Sequence, residues 1–154
     1  MKLKEAIEKI LDGQAILFAR AGFSYGAKNI QGQVPSADEL KKKLLLDMGM
    51  DKNSDHGLEV VANYYKNKKG ANELIDKLKE QYDILKVAEY HKKIMTLPWK
   101  RVYTTNYDQV IEMSSAECGT ATRKKAVILS DDFEYTEKNN VCVHINGYID
   151  VNFQ

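Results

Sequence analysis

Apolar and polar positions alternate along this chain with two distinct periods. Leu3, Ala6, Ile7, Ile10 and Leu11 recur at helical spacing, with Gly13 standing as a stop. Ala15–Ala19 is short and continuously apolar, which predicts a strand covered on both faces. Three glycines (Gly22, Gly26, Gly32) and no period between Arg20 and Pro35 predict a loop. Ser36 with Glu39 three residues on reads as a capping box that opens a helix through Leu40, Leu44 and Leu45. Further helical patterns run over 58–68, 72–81 and 86–97, the last closed by Pro98. RVYTT (Arg101–Thr105) is β-branched and aromatic, a second strand, and 107–116 can form a short helix. Ala126–Leu129 and Val141–Ile145 are further strands, the second ending on the turn signal Asn146-Gly147.

Strands separated by helices imply the α/β class, a Rossmann-like, mainly parallel sheet with helices on both faces. No linker or repeat divides residues 1–154, so a single domain is expected. In such sheets ligands bind at the carboxyl ends of the strands. Arg20–Ser24 and Thr104–Asp108 both fall at carboxyl ends, which makes them the stretches where chemistry is expected.

Charge and composition narrow the function classes. With 23 Lys+Arg against 22 Asp+Glu the net charge is +1, no field for nucleic acid or an acidic membrane, so neither is expected as a partner. The lysines of 41–43 and 66–69 read as solvated helix faces. No apolar run reaches the ~20 residues of a membrane span. The N-terminus is amphipathic without the apolar core of a signal peptide, so a cytoplasmic setting is expected. Two cysteines, Cys118 and Cys142, exclude a four-thiolate zinc module. His56 and His91 lack metal-ligand spacing, and Asp131-Asp132 reads as a solvated turn, so no metal is expected. Trp99, Tyr103, Tyr64-Tyr65 and Tyr82 read as packing aromatics.

On their own, the small residues Ala21-Gly22-Phe23-Ser24 can be a phosphate-approaching turn or a plain loop, and Asn106 or Asp108 can be a helix N-cap. Taken together, the two stretches resemble the sirtuin-like NAD-consuming domain in its bacterial defence-associated branch. The resemblance rests on Arg20-Ala21-Gly22-Phe23-Ser24 against a Gly-Ala-Gly-x-Ser turn, on Pro35-Ser36, on His91-Lys92 ahead of Leu97-Pro98, and on Thr104–Asp108 (TTNYD) followed by Ile111-Glu112. It implies an NAD site lined by Ala21, Gly22, Phe23, Ser24, Thr105, Asn106 and Asp108. Asn106 would sit beside the nicotinamide ribose and Asp108 would hold the carboxamide. The implied reaction is hydrolysis of the bond between ribose and nicotinamide.

The chain departs from the family pattern at three points. Arg20 replaces a glycine, so its side chain would fill the pocket or aim its guanidinium at phosphates. Asn146 stands where the family carries its activating histidine, and an amide has no proton to exchange near pH 7. His144, two residues upstream on the same strand face but about 6–7 Å away, is the candidate substitute. The chain also ends before the family's later strands, which implies an exposed sheet edge covered by another copy or a partner domain. Two readings result: an NAD-binding domain related to NAD hydrolases with impaired catalysis, its site built on Asn106 and His144, or a non-catalytic nucleotide-sensing or interaction module on the same fold.

Overall fold

The computed structural model describes residues 2–119, 125–128 and 141–148. Four parallel strands form its sheet: β1 (Ile16–Ala19), β4 (Arg101–Thr104), β5 (Lys125–Ile128) and β6 (Val141–His144), in the order β1-β4-β6-β5. Among the described residues six helices flank it: α1 (Leu3–Leu11), α2 (Ala37–Asp47), α3 (Leu58–Lys69), α4 (Ala71–Tyr82), α5 (Glu89–Met95) and α6 (Val110–Glu117). The expected α/β class with a parallel sheet is what the chain adopts. Leu129, Asp131-Asp132 and the last residues of the chain lie outside the described residues.

The capping box forms as the sequence predicts: the Glu39 amide donates to Ser36 Oγ at 3.3 Å, and the Ser36 amide to Glu39 Oε2 at 2.7 Å. Leu40, Leu44 and Leu45 of α2 pack with Val61 and Tyr65 of α3 in a helical core that α4 closes with Leu74, Leu78 and Tyr82. A second core lies under the sheet, where Met95 of α5 and Ile111 of α6 meet Ala19, Val102 and Cys142. Ala27, Ile84, Val87 and Val110 form a third, with Phe23 packed against both the second and the third.

Three expectations are corrected. The 86–97 helix is shorter, Glu89–Met95, because Lys86 is held outside it: its amide donates to the Lys28 carbonyl, and its carbonyl accepts the Lys28 amide. The 20–35 loop is ordered into a 3-10 turn at Ala21–Ser24 and a two-residue hairpin of β2 (Lys28–Asn29) with β3 (Gly32–Gln33). Finally, β1 is not covered on both faces. Among the described residues it is an edge strand, its Ile16 and Phe18 more than half exposed while Leu17 and Ala19 face the core. Tyr64 is likewise half exposed, whereas Tyr65 is fully buried.

Leu44 is completely buried in the helical core. Leu44→Ala is expected to cost about 2–5 kcal/mol in urea unfolding. Phe18→Ser, on the open face of β1, is expected to stay within about 0.5 kcal/mol of the parent.

Candidate active site

The site is assembled by strand register. Ala19 of β1 lies beside Thr104 of β4, and Thr104 beside His144 of β6, so three strands end level. The next residues of each chain segment are then stitched together. The Thr105 amide donates to the Ala19 carbonyl at 3.2 Å, and the Ile145 amide to the Thr104 carbonyl at 2.9 Å. The Thr104 hydroxyl accepts the Asn106 amide at 3.0 Å, turning the chain sharply after β4.

That turn brings Asn106 and Asp108 against the turn that follows β1. Ser24 Oγ donates to Asp108 Oδ2 at 2.5 Å, and Asp108 Oδ1 accepts the Val110 amide at 3.1 Å, where α6 starts. Since Ser24 has given its one proton to Asp108, its oxygen can only accept from Asn106. This places the Asn106 Nδ2, not Oδ1, 2.8 Å from it. The second Nδ2 proton goes to the Arg20 carbonyl at 3.1 Å. Both amide protons are thereby committed, and Oδ1 is the atom of Asn106 left to meet a ligand. Burial pushes the Asp108 carboxyl up, opposed by the Ser24 and Val110 hydrogen bonds.

A cavity of about 650 Å³ opens here, within the ordinary size range of small-molecule sites. Its walls come from three places: Ala21, Gly22, Ser24 and Tyr25 after β1, Gln33 to Ala37 with Glu39 at the head of α2, and Thr105, Asn106 and Tyr107 after β4. Tyr82 of α4 completes it, its phenol kept neutral by burial with a pKa pushed up to about 12. A Cβ placed on Gly22 would meet no atom within 4 Å, so the glycine leaves open space next to the turn.

Of the residues singled out from sequence, Ala21, Gly22, Ser24, Thr105 and Asn106 line this cavity. Phe23 does not: its ring packs into the core, 5.1 Å from that of His91. Asp108 stands behind Ser24, 5% exposed, as its support. The side chain of Arg20 is absent from the cavity wall and exposed, so it does not plug the site as its size suggested. What Arg20 contributes is its carbonyl, which accepts from Asn106 and from the Phe23 amide at 2.7 Å.

His144 lies apart from the cavity wall. As the fourth residue of β6 it is wholly buried beneath Asn106, not on the cavity wall. Its Nδ1 is 2.8 Å from the Asn106 carbonyl and its Nε2 2.9 Å from Glu112 Oε1 on α6. Burial lowers its pKa, but the Glu112 carboxylate, the Asn106 carbonyl and the Asp108 charge together outweigh that and hold the imidazole above its usual value. Donor atoms of Glu112, Cys142 and His144 lie within 4.8 Å of one another, close enough for a cation. An Nε2 that shares its proton with Glu112 has no lone pair to give one, so the hydrogen-bonded pair is the better description. Asn146 is exposed and donates to the Thr105 carbonyl at 3.3 Å.

Sequence reasoning missed His91. Fully buried in α5, it accepts the Ala88 amide on Nδ1 at 3.0 Å and therefore donates from Nε2 to the Phe23 carbonyl at 2.5 Å. It caps the first turn of α5 and clamps the turn that carries Gly22 and Ser24. The His91-Lys92 pair was the only signal for it, and spacing gave that pair no role.

No protein-family model matches the chain. Three curated relatives are proteins named NAD(+) hydrolase ThsA. That of Enterococcus faecium is 36% identical over 122 residues, 75% of this chain and 23% of the relative. That of Bacillus cereus is 29% identical over 121 residues, 75% of this chain and 24% of the relative. That of Cytobacillus dafuensis is 31% identical over 121 residues, 76% of this chain and 23% of the relative. The chain thus spans about a quarter of the length of the relatives it matches. Among the described residues no helix is long and apolar enough to cross a membrane.

Burial holds the His91 pKa below its ordinary 6.5, against the pull of the Phe23 carbonyl. Its clamp is therefore complete above the unfolded-state value and weakens as pH falls below it, when Nδ1 must take a proton it cannot share with the Ala88 amide. Thermal unfolding at pH 7.5, 6.5 and 5 is expected to show a steeper acid loss in the parent than in His91→Gln.

Proposed function

We propose that this chain forms the NAD-binding part of a sirtuin-like NAD hydrolase, of the kind that depletes NAD in defence against phage inside the cell. The observation that carries the reading is the hydrogen-bonded chain Asn106–Ser24–Asp108 on a cavity at the level carboxyl ends of β1 and β4. Relatives named NAD(+) hydrolase support it.

In this reading NAD is the substrate. The bond between ribose and nicotinamide breaks, the electron pair leaves with nicotinamide, and water attacks the positively polarised ribose carbon. Asn106 Oδ1, its amide fixed by two donated hydrogen bonds, orients that water or a ribose hydroxyl by accepting from it. Gly22 leaves room for the dinucleotide beside the turn. Arg20, exposed and next in sequence to the wall residue Ala21, can meet phosphate without filling the cavity. A covering segment or second copy over the edge strand β1 also belongs to this reading, given its place at the end of the sheet order and the open face that Ile16 and Phe18 present.

One observation favours a second reading, a nucleotide-sensing module without turnover. Asn146 cannot accept the proton that attacking water releases, and the buried His144 does not reach the cavity to replace it.

Calorimetric titration with NAD, followed by nicotinamide assay of the same sample, separates the two. Binding with nicotinamide release is expected, and Asn106→Ala should lower the release by about 100-fold or more. Binding without release supports the sensing module, and no binding by folded protein overturns both. Gly22→Val is expected to leave the unfolding midpoint in place while weakening NAD binding at least tenfold, because its side chain projects into open space.

A further inference from the structure

His144 faces two groups that can only accept: the Asn106 carbonyl on Nδ1 and the Glu112 carboxylate on Nε2. A neutral imidazole has one N–H. In either tautomer a lone pair would then face one of those oxygens from a ring that has no exposure at all. The doubly protonated ring satisfies both, and the adjacent carboxylate compensates its charge. The remaining neighbours do not compete for this role. Asp108 on the loop after β4 favours the cation, Cys142 lies two residues back on β6, Tyr148 places its ring 4.6 Å away, and Thr104 of β4 is uncharged.

We propose that Glu112 and His144 form a buried charged strut that fixes the backbone of Asn106, so that both are positioning residues for the amide on the cavity wall. The strut reaches the cavity in one step, since the peptide it holds carries the side chain that bonds Ser24 and Arg20. Losing the proton would turn one attractive contact into a repulsive one and release that peptide. The folded-state pKa lies above the usual 6.5, so the strut is intact below that value and fails as pH rises through the raised one. Glu112 Oε2, buried without a hydrogen-bond partner among the described residues, leaves the imidazolium as the principal compensation for that carboxylate. The consequence for catalysis rests on the NAD-hydrolase reading, whereas the strut itself does not.

With three histidines in the chain, nitrogen NMR of the imidazoles can follow His144 directly. The expected result is protons on both ring nitrogens at pH 7, and an Asn106 side-chain amide resonance that moves with the same midpoint as His144. In Glu112→Gln both midpoints should fall together by about 1–3 units. A singly protonated His144 at pH 7, or an Asn106 amide indifferent to its titration, overturns the proposal. Should Glu112→Gln fail to fold, the co-titration in the parent protein decides. NAD affinity measured across the same pH range should fall at the His144 midpoint. An affinity independent of that midpoint overturns the role in the site. Absence of NAD binding at every pH overturns the hydrolase reading and with it that role, while co-titration of Asn106 still supports the strut.

Discussion

A carboxyl group buried as deeply as Asp108 has to be supplied with donors, because leaving it without them would cost several kcal/mol. Its donors come from two different parts of the chain: the Ser24 hydroxyl after β1 and the Val110 amide at the start of α6. That requirement closes the turn after β1 onto the turn after β4, 84 residues apart in sequence. It also settles the direction of every further hydrogen bond. Ser24, having donated, must accept, so Asn106 must present its amide nitrogen and keep its oxygen free. The chemistry available at the cavity is thus a consequence of one buried acid.

Two histidines hold the two halves of this arrangement from behind, in opposite protonation states for a physical reason. His91 meets a donor and an acceptor, the Ala88 amide and the Phe23 carbonyl, which a neutral ring satisfies and burial favours. His144 meets two acceptors, one of them charged, which only the cation satisfies. One clamps the turn after β1 and the other the turn after β4. Neither touches the cavity. The site therefore rests on a scaffold in which both histidines behind the wall have their two ring nitrogens engaged while the wall itself stays open.

The helical layer contributes in a different way. Cores built on α2–α4 and under the sheet are separate, and Tyr82 belongs to the helical core and to the cavity wall at once. The head of α2 forms part of the wall, and its own capping box already occupies the Ser36 and Glu39 amides. A helix end with two of its amides already spent is a weaker anion site than the bare motif implies.

Much of the framework was legible from local pattern. Helix period, the Ser36–Glu39 box and the β-branched RVYTT run each depend on neighbours within one turn or strand, and a sequence displays those directly. The same holds for the family resemblance in TTNYD and the small residues after β1, which located Ala21, Gly22, Ser24, Thr105 and Asn106 on the cavity wall. Where the side chains of Arg20, Phe23, Asp108 and His144 sit was not legible from sequence, because each depends on what lies across the sheet. Local pattern says that β1 is apolar, but only the packing of the described elements against one of its faces leaves Ile16 and Phe18 exposed on the other. It says that His144 shares a strand face with Asn146, but only packing against α6 supplies Glu112 and turns a candidate base into a buried cation. The sequence by itself determined the elements and the position of the site along them, since those follow from local spacing. The tertiary structure alone decided which polar groups are buried, and so which proton each one carries.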